Sequence, residues 1–124
     1  MKAYIGKKHK YVHIDYWDTW SMDITLAPII HPMLIQLKKT QYGAPDTDDD
    51  DVPEELRSTS ARPKENDWDI DEFHFKRWDW ILDEMIFAFD QKNKDKWEDK
   101  NEELHRRVSN GFRLFGKYYE NLWD

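Results

Sequence analysis

The sequence predicts a mainly α-helical domain, a three-helix, bundle-like arrangement with a small N-terminal β-hairpin and a long acidic loop. Three observations predict this class. Apolar residues recur at helical spacing in three long segments, and an acidic segment with glycine and proline separates the first two. Aromatic residues make up 15% of the chain, enough to form a core under a charged surface. A length of 124 residues fits a single domain over residues 1–124.

The composition excludes several classes of protein. Cysteine is absent, which excludes a disulfide framework and a thiolate metal site. The net charge of -7 argues against general nucleic-acid binding, because that needs a basic surface. No apolar run approaches the roughly 18 residues of a membrane span, and the start, MKAYIGKKHK, lacks a signal peptide's apolar stretch. We therefore expect a soluble protein of a reducing cytoplasm, with no membrane partner and no cofactor.

Residues 1–15 predict a β-hairpin. β-Branched and aromatic residues at 3–5 and 11–14 flank the polar sequence Gly-Lys-Lys-His-Lys. A hairpin alone is only marginally stable in water, so we expect this one to dock on the helices.

Residues 18–41 predict the first helix. Asp18, Thr19 and Ser21 can each cap its start, and Gly43 lies just past its end. At 100° per residue, one side collects most of the apolar side chains: Leu26, Ile29, Ile30, Met33, Leu34 and Leu37. Pro28 and Pro32 each remove a backbone hydrogen bond. They predict a kinked helix or two short helices.

Residues 43–66 predict a loop. Its first part, DTDDDDVPEE at 46–55, carries acids and no base. An ordered calcium loop needs acids at fixed alternation and a turn glycine, and this segment has neither. A solvated or mobile acidic insertion is therefore expected.

Residues 69–91 predict the clearest helix. Its main apolar face contains Phe75, Trp78, Leu82, Met85, Ile86 and Phe89. Trp80 and Phe87 form a second patch on nearly the opposite side. A helix with two apolar faces is covered on both sides, either inside its own domain or by a partner subunit.

Residues 95–123 predict the last helix. Gly111 falls inside its apolar stripe, which runs from Trp97 to Leu122. A glycine in a helix costs about 1 kcal/mol relative to alanine. We therefore expect another backbone to approach closely at this position.

The segment WDTWSMD at 17–23 is the main candidate for a ligand site. Asp23 falls within the apolar arc of the first predicted helix, where a carboxylate is costly unless it is paired or capping. In one interpretation Asp23 caps its own helix start or meets a basic residue, for which Arg107 is the natural candidate. In the other it accepts a hydrogen bond from a ligand between stacking walls formed by Trp17 and Trp20.

Basic residues on the last helix are the candidates for an anion pocket. The planar fork of arginine suits phosphate, although a solvated helix face explains the same residues. The predicted ligand-binding set is Trp17, Asp18, Trp20, Asp23, Arg106, Arg107 and Arg113.

Asp79 and Asp83 suggest a weaker metal alternative. Four residues apart on one helix, their carboxylates can grip one divalent ion. The pair faintly resembles the acidic helices of all-α nucleoside triphosphate pyrophosphatases, which bind Mg²⁺. Those folds need a second acidic pair on a neighbouring helix, and only Asp23 or the stretch WEDKNEE is available to supply it. The histidines lack ligand spacing, so no other metal site is expected.

Three segments of the chain resemble a family of small proteins encoded by tailed bacteriophages. The family pattern runs D-x-W-D-T-W-x-M-D, then P-M-L-x-Q-L-K, a variable loop, I-L-D-x-M-I and L-F-x-K-Y-Y-x-x-L-W. This chain matches it in IDYWDTWSMDITLAPIIHPMLIQLK, WDWILDEMIFAF and RVSNGFRLFGKYYENLWD. The resemblance implies a phage protein that acts in the cytoplasm of the infected host. Pro28 stands where family members often have leucine.

Three functions follow as expectations. The first is a non-enzymatic protein that sequesters a nucleotide signal of bacterial immunity, with bases stacked on Trp17 or Trp20. The second is a protein that inhibits a host factor or forms part of a virion. The third is a Mg²⁺-dependent nucleotide pyrophosphatase. A homo-oligomer is expected in each case, because large exposed aromatic patches promote aggregation.

Overall fold

The computed structural model describes residues 3–6, 11–94 and 101–123 and confirms a mainly α-helical fold. Two short antiparallel strands, β1 (Tyr4–Ile5) and β2 (Val12–His13), come first. Four helices follow: α1 (Tyr16–Trp20), α2 (Met22–Thr40), α3 (His74–Asn93) and α4 (Glu102–Lys117). A short 3₁₀ turn, Tyr119–Asn121, ends the described chain. In these ranges no helix is both long and apolar enough to cross a membrane.

Helix α3 forms the centre of the fold, and both α2 and α4 pack on it. Trp78, Ile81, Leu82 and Met85 are almost completely inaccessible to water. The second apolar patch predicted for this helix is covered from within the chain. Trp80 packs against the core, and the guanidinium of Arg107 lies 3.6 Å from the centre of the Phe87 ring. The two-faced helix therefore needs no partner subunit at this patch.

The close approach expected at Gly111 is confirmed. A Cβ atom at this position would lie 2.5 Å from the Cβ of Ala88 and 2.6 Å from the carbonyl oxygen of Glu84. Only glycine lets α4 come this close to α3.

The first predicted helix is divided, but not at its prolines. Helix α1 ends at Trp20, and Ser21 has non-helical backbone angles, φ -129° and ψ 69°. Helix α2 then runs through Pro28 and Pro32 without a break. Both prolines are exposed. The carbonyls that lose their N–H donors therefore lie on the outer side of the helix, where water can reach them.

The hairpin forms in the predicted place, with Tyr4 opposite His13 and Ile5 opposite Val12. The expectation that it docks on the helices is wrong for the side chains described. Tyr4, Tyr11 and Val12 are 51%, 57% and 59% exposed. The helical core is built by α2 and α4 packing on α3, and none of the described hairpin residues belongs to it.

The last two helices are shorter than predicted, and each begins later in the chain. The carboxylate of Asp71 accepts the N–H of Phe73 at 2.8 Å, which holds residues 71–73 in a turn before α3 begins. The side chain of Asn101 accepts the N–H groups of Glu103 and Leu104 and so caps the start of α4. Residues 95–100 of the predicted last helix lie outside the described residues.

Most acids of the acidic segment are exposed, as expected of a solvated loop, but the segment is attached to the core and is not a free insertion. Three 3₁₀ turns, Asp49–Asp51, Glu54–Leu56 and Ser58–Ser60, build what we call the acidic strap, residues 46–60. Val52 of the strap is 4% exposed and belongs to the core. One buried valine and a buried aspartate anchor a stretch that composition alone marks as loop.

Candidate functional site

Helix α1 has an inverted arrangement of side chains. Its three rings face the solvent, with Tyr16 71%, Trp17 67% and Trp20 70% exposed. Its one buried side chain is the carboxylate of Asp18, which is 4% exposed. Helices normally bury their apolar side and expose their polar side. This short helix does the opposite.

Hydrogen bonds explain why Asp18 faces inwards. Its Oδ2 atom accepts the backbone N–H of Asp15 at 2.8 Å, and the side chain of Asp15 accepts the backbone N–H of Asp18. This reciprocal capping box satisfies two N–H groups at the helix start. Asp18 therefore holds α1 in place, and the sequence prediction that it serves a ligand is not supported by its position.

The exposed rings touch one another and form what we call the aromatic cluster, Tyr16, Trp17 and Trp20. The ring centres of Trp17 and Trp20 lie 5.5 Å apart at an interplanar angle of 56°, and Tyr16 meets Trp17 edge-on at 5.2 Å. A base held between two parallel rings needs roughly 7 Å, twice the ~3.5 Å contact distance. The two indoles are not walls of a slot, and a ligand can meet only their outer faces.

The prediction that Asp23 points at the core is wrong. Its side chain is 61% exposed and forms an ion pair with Lys92, at 2.5 Å, at the end of α3. The hydrogen bond from Lys92 lowers the pKa of Asp23. Asp23 does meet a basic residue, as one interpretation expected, but that residue is Lys92 and not Arg107, because the break at Ser21 starts α2 beside the last turn of α3.

Arg107 is engaged by a different carboxylate. Its Nε and terminal nitrogen donate to both oxygens of Glu84 at 2.8 to 3.2 Å, and Glu84 is 7% exposed. The hydrogen bond to Glu84 raises the pKa of Arg107. A bidentate pair is the same geometry in which arginine holds phosphate, so the site predicted for an anion is filled by the chain itself.

Arg113 is likewise engaged, by the acidic strap. Asp51, whose side chain is 3% exposed, accepts hydrogen bonds from Arg113 at 2.8 Å, Lys117 at 2.6 Å and the hydroxyl of Tyr118 at 2.7 Å. Burial by itself raises the pKa of Asp51, but the hydrogen bonds from Lys117, Tyr118 and Arg113 outweigh it and leave the pKa lowered. The strap is thus bound to α4 by a buried charge.

The predicted ligand set is therefore not brought together. The aromatic cluster precedes α2, whereas Arg106, Arg107 and Arg113 lie on α4, and each of these two helices packs mainly on α3. Arg106 has a more distant partner than the other two arginines, because its terminal nitrogen lies 3.9 Å from the carboxylate of Glu102 on the same helix.

Among the described residues, the Mg²⁺ alternative has an incomplete set of ligands, and positions 97–100 of the stretch WEDKNEE lie outside them. Asp79 is exposed, and Asp83 accepts a hydrogen bond from Lys38 at 2.6 Å. Asp23, the proposed second acid, is bound near the end of α3, roughly 13 Å along the helix from Asp83 at 1.5 Å per residue. Across residues 3–6, 11–94 and 101–123, no three His, Asp or Glu side chains come together in a way that could hold a metal ion.

A shallow cleft of about 390 Å³ lies outside the predicted sites, lined by Arg62, Pro63, Lys64, Glu65, Asp69, Ile70, Asp71 and Glu72. Its charges are largely satisfied internally. Arg62 donates to Glu72 at 2.5 Å, and Asp71 accepts from the buried Arg77 at 2.8 Å. These contacts hold the segment that precedes α3 and engage Arg62, Asp71 and Glu72 within the chain.

The sequence interpretation missed the buried polar groups. Glu84 and Asp51 are the partners that occupy the arginines, and neither was predicted to pair with a basic residue. One signal for Asp51 is its apolar neighbour Val52 inside an otherwise acidic run. A second signal is the spacing of Arg113 and Lys117, the two cations that bind Asp51, which lie four residues apart on one face of α4.

Comparisons with known proteins give no match. No family model matches the chain, and no curated protein and no solved structure is significantly similar to it. Any conclusion on function therefore depends on the geometry described above.

Proposed function

We propose that this chain is a non-enzymatic binding protein that contacts a protein partner through the aromatic cluster. We further propose, from the family resemblance in the sequence, that it is phage-encoded and acts in the host cytoplasm against a host factor. One observation carries the proposal of a contact site: α1 buries a carboxylate and exposes Tyr16, Trp17 and Trp20.

The energetics support a contact role. Burying a large apolar side chain stabilises a fold by roughly 1.5–3 kcal/mol, and this fold leaves three large rings in water. Tryptophan and tyrosine dominate the binding energy of many protein interfaces. Because the capping box fixes α1 and the rings pack against each other, little conformational entropy is lost when a partner covers them.

The charges near the cluster favour a protein over a phosphate-bearing ligand. Lys92 is paired with Asp23, and both Arg107 and Arg113 donate to carboxylates of the chain. A phosphate that bound one of these three cations would have to displace the carboxylate already paired with it. An uncharged protein surface makes no such demand.

Affinity capture from a bacterial lysate tests the proposal with a matched pair of variants. The test variant is Trp17→Ala/Trp20→Ala. The control is Trp68→Ala/Trp123→Ala, which also removes two exposed indoles, 81% and 74% accessible, at other places on the surface. We expect one stoichiometric protein partner to be retained by the wild type and the control and lost by the test variant. Equal retention by both variants, or no partner for the wild type, contradicts the proposal.

A nucleotide immune signal is the second candidate, and one observation favours it: the outer faces of Trp17 and Trp20 are open for a base to stack on. Calorimetry against cyclic and ADP-ribose-type nucleotides distinguishes it from protein binding. Heat from the wild type that disappears in Trp17→Ala/Trp20→Ala supports it. No heat at protein concentrations of roughly 100 μM removes ligands that bind more tightly than that.

The pyrophosphatase alternative has a simple assay of its own. If Asp79 and Asp83 bind Mg²⁺, nucleoside triphosphates are hydrolysed with Mg²⁺ or Mn²⁺, and Asp79→Asn abolishes the turnover. Since Asp83 is already paired with Lys38, we expect no turnover beyond background.

A further inference from the structure

The charge of this chain is unevenly distributed. Its first 14 residues contain four lysines and no Asp or Glu, so they carry +4, and the rest of the chain carries -11. Three of these lysines belong to the sequence Lys-Lys-His-Lys between Gly6 and Tyr11, and the N–H of Gly6 donates to the carbonyl oxygen of Tyr11 at 2.6 Å. The net charge of -7 argues against nucleic-acid binding over the whole surface. It does not describe this segment, because a basic end on an acidic chain is typical of a local contact with a polyanion.

One face of the hairpin is aromatic. Tyr4 lies opposite His13, and Tyr11 precedes His13 by two residues, so the three side chains lie on the same side of the two strands. The rings of Tyr4 and His13 are stacked, with centres 5.0 Å apart at an interplanar angle of 19°, and Tyr11 meets Tyr4 edge-on at 6.3 Å. Each side chain is about half exposed. The stacked cross-strand pair stabilises the strand register, but none of the described hairpin residues belongs to the helical core.

The glycine at position 6 lets the ring of Tyr11 lie flat on the backbone. A Cβ atom at Gly6 would lie within 2.6 Å of three adjacent carbons of that ring. It would therefore meet the face of the ring, since an approach to the edge brings one carbon much closer than its neighbours. One face of Tyr11 covers Gly6, which is buried, and the opposite face is open to solvent, in keeping with the 57% exposure of this residue. The hairpin thus presents a flat ring that is supported from below.

A flat open ring in a basic segment fits single-stranded nucleic acid. Every nucleobase has a flat face that stacks on an aromatic ring, and the phosphates between the bases are attracted to positive charge. In a duplex the bases are stacked on one another, so their faces are not open to Tyr11. An acidic protein surface matches the charge but supplies no flat partner for the ring. The combination therefore favours a single strand over both a duplex and an acidic protein.

We infer that the hairpin binds single-stranded nucleic acid without sequence preference. A base stacks on the open face of Tyr11, and the positive charge of the first 14 residues attracts the neighbouring phosphates. The negative charge of the rest of the chain repels a longer strand, so the contact is short and weak. The site is separate from the aromatic cluster and does not depend on the protein partner proposed for it.

Fluorescence anisotropy of a labelled oligothymidylate of about 12 nucleotides tests the inference. We expect a Kd of about 10 to 100 μM for the wild type at about 50 mM salt, as for other non-specific contacts. Tyr11→Leu removes the ring and is expected to weaken binding by roughly fivefold to a hundredfold, which is the contribution of one stacked base. The matched control is Tyr119→Leu, which removes a tyrosine of similar exposure, 63%, at the other end of the chain. The control is expected to bind like the wild type.

Tyr11→Phe separates stacking from a loss of the hairpin. Phenylalanine keeps the ring over Gly6, so this variant is expected to bind within about twofold of the wild type. A phenylalanine variant as weak as Tyr11→Leu overturns the stacking. The inference is also overturned if the wild type does not bind at roughly 500 μM protein, or if Tyr11→Leu binds as well as Tyr119→Leu.

Two competitors distinguish the classes of ligand. A duplex of the same length has phosphates but no open base faces, and polyglutamate supplies charge alone, so we expect each to compete at least about fivefold more weakly than the single strand. Raising the salt concentration from about 50 to 200 mM should weaken single-strand binding by roughly 7- to 50-fold, as for two to four neutralised phosphates. Equal competition by either competitor, or binding that does not respond to salt, overturns the inference.

The variant Trp17→Ala/Trp20→Ala separates the hairpin site from the aromatic cluster. This variant is expected to lose the protein partner proposed above and to bind the oligothymidylate like the wild type. Failure of one proposal is therefore distinguishable from failure of the other. Oligothymidylate binding that is lost in Trp17→Ala/Trp20→Ala and retained in Tyr11→Leu overturns the inference, because the bases then stack on the cluster and not on the hairpin.

Discussion

Two regions of this molecule treat charged and apolar side chains in opposite ways. Where α3, α4 and the acidic strap meet, the interior holds carboxylates and cations, and Asp51 and Glu84 receive several hydrogen bonds each. On α1 and along the exposed side of α2, indole and aliphatic side chains are exposed to solvent. The first region satisfies its charged groups within one chain, and the second leaves large apolar side chains exposed.

The difference shows that, in these two regions, the hydrogen bonds available to a side chain decide whether it is buried more than its hydropathy does. Asp51 is buried because Arg113, Lys117 and Tyr118 converge on it. A buried carboxylate without such donors is strongly unfavourable. Trp17 and Trp20 stay exposed because the cap built on Asp18 turns α1 so that its carboxylate faces inwards. An intermolecular contact is the remaining way for these rings to leave water.

The largest expected effect comes from Trp78→Ala. Trp78 is 1% exposed, packs edge-on against Tyr118, and donates its Nε1–H to Gln41 at 2.8 Å. We expect a loss of about 3–5 kcal/mol in the free energy of unfolding, measured by urea denaturation. The control Trp68→Ala removes an indole that is 81% exposed and changes stability by about 0.5 kcal/mol or less. Similar losses of stability for the two variants would contradict the placement of Trp78 in the core and of Trp68 on the surface.

Asp51→Asn tests the buried charge of the strap. The substitution keeps the shape of the side chain but removes the charge that Arg113 and Lys117 share. Because both cations are partly exposed and water can solvate them, we expect a loss of about 2 kcal/mol and not more. The neighbouring Asp50→Asn, at an exposed position, serves as control and leaves stability nearly unchanged. If Asp51→Asn behaves like Asp50→Asn, the strap is not held by this group.

Gly111→Ala tests the close approach of α4 to α3. Alanine gains about 1 kcal/mol in helix propensity, but its Cβ meets Ala88 and the Glu84 carbonyl at distances that force the helices apart. Overpacking of this kind costs about 1–3 kcal/mol, so we expect a net loss of about 1 kcal/mol in thermal or urea unfolding. Gly116→Ala, in the same helix with nothing within 4 Å of the added Cβ, is expected to stabilise the protein. A stabilised Gly111→Ala variant contradicts the structure at this point.

The pH dependence of stability tests the lowered carboxylate pKa values. Desolvation raises the pKa of both Asp51 and Asp71, but the hydrogen bonds that each carboxylate accepts outweigh this effect and leave the pKa below its ordinary value. Groups with a depressed pKa in the folded state contribute stability that is present above the unfolded pKa and is lost as pH falls through the folded pKa. We expect stability to fall below about pH 4, at no more than about 1.4 kcal/mol per pH unit for each proton bound. Asp51→Asn should show a smaller acid loss, and an unchanged profile argues against this assignment.

Helical periodicity predicted the regular parts of the fold, because apolar spacing reports directly which side of a long helix is buried. It located α3 and identified the close contact at Gly111. It failed at α1, where a five-residue helix is too short for periodicity and a capping box decides the orientation. The break at Ser21 then moved Asp23 away from the core and next to Lys92.

The sequence predicted which aromatic residues belong to the candidate site, but not which residues the fold brings together. Trp17 and Trp20 were singled out and are the exposed rings of the cluster. The arginines were assigned to a ligand because the sequence does not show that Glu84 and Asp51 reach them from 23 and 62 residues away. Long-range pairing of this kind depends on how α4 and the strap lie against α3, which no local pattern encodes.

The smallest expected effect is the most direct test of the central claim that the aromatic cluster serves a contact and not the fold. The measurement is the free energy of urea unfolding of Trp17→Ala/Trp20→Ala relative to the wild type, at a fixed low protein concentration. We predict a change of about 1 kcal/mol or less for the two substitutions together, since each ring is about two-thirds exposed. A loss of more than about 3 kcal/mol, comparable to that of Trp78→Ala, contradicts the account and makes the two indoles part of the folded core.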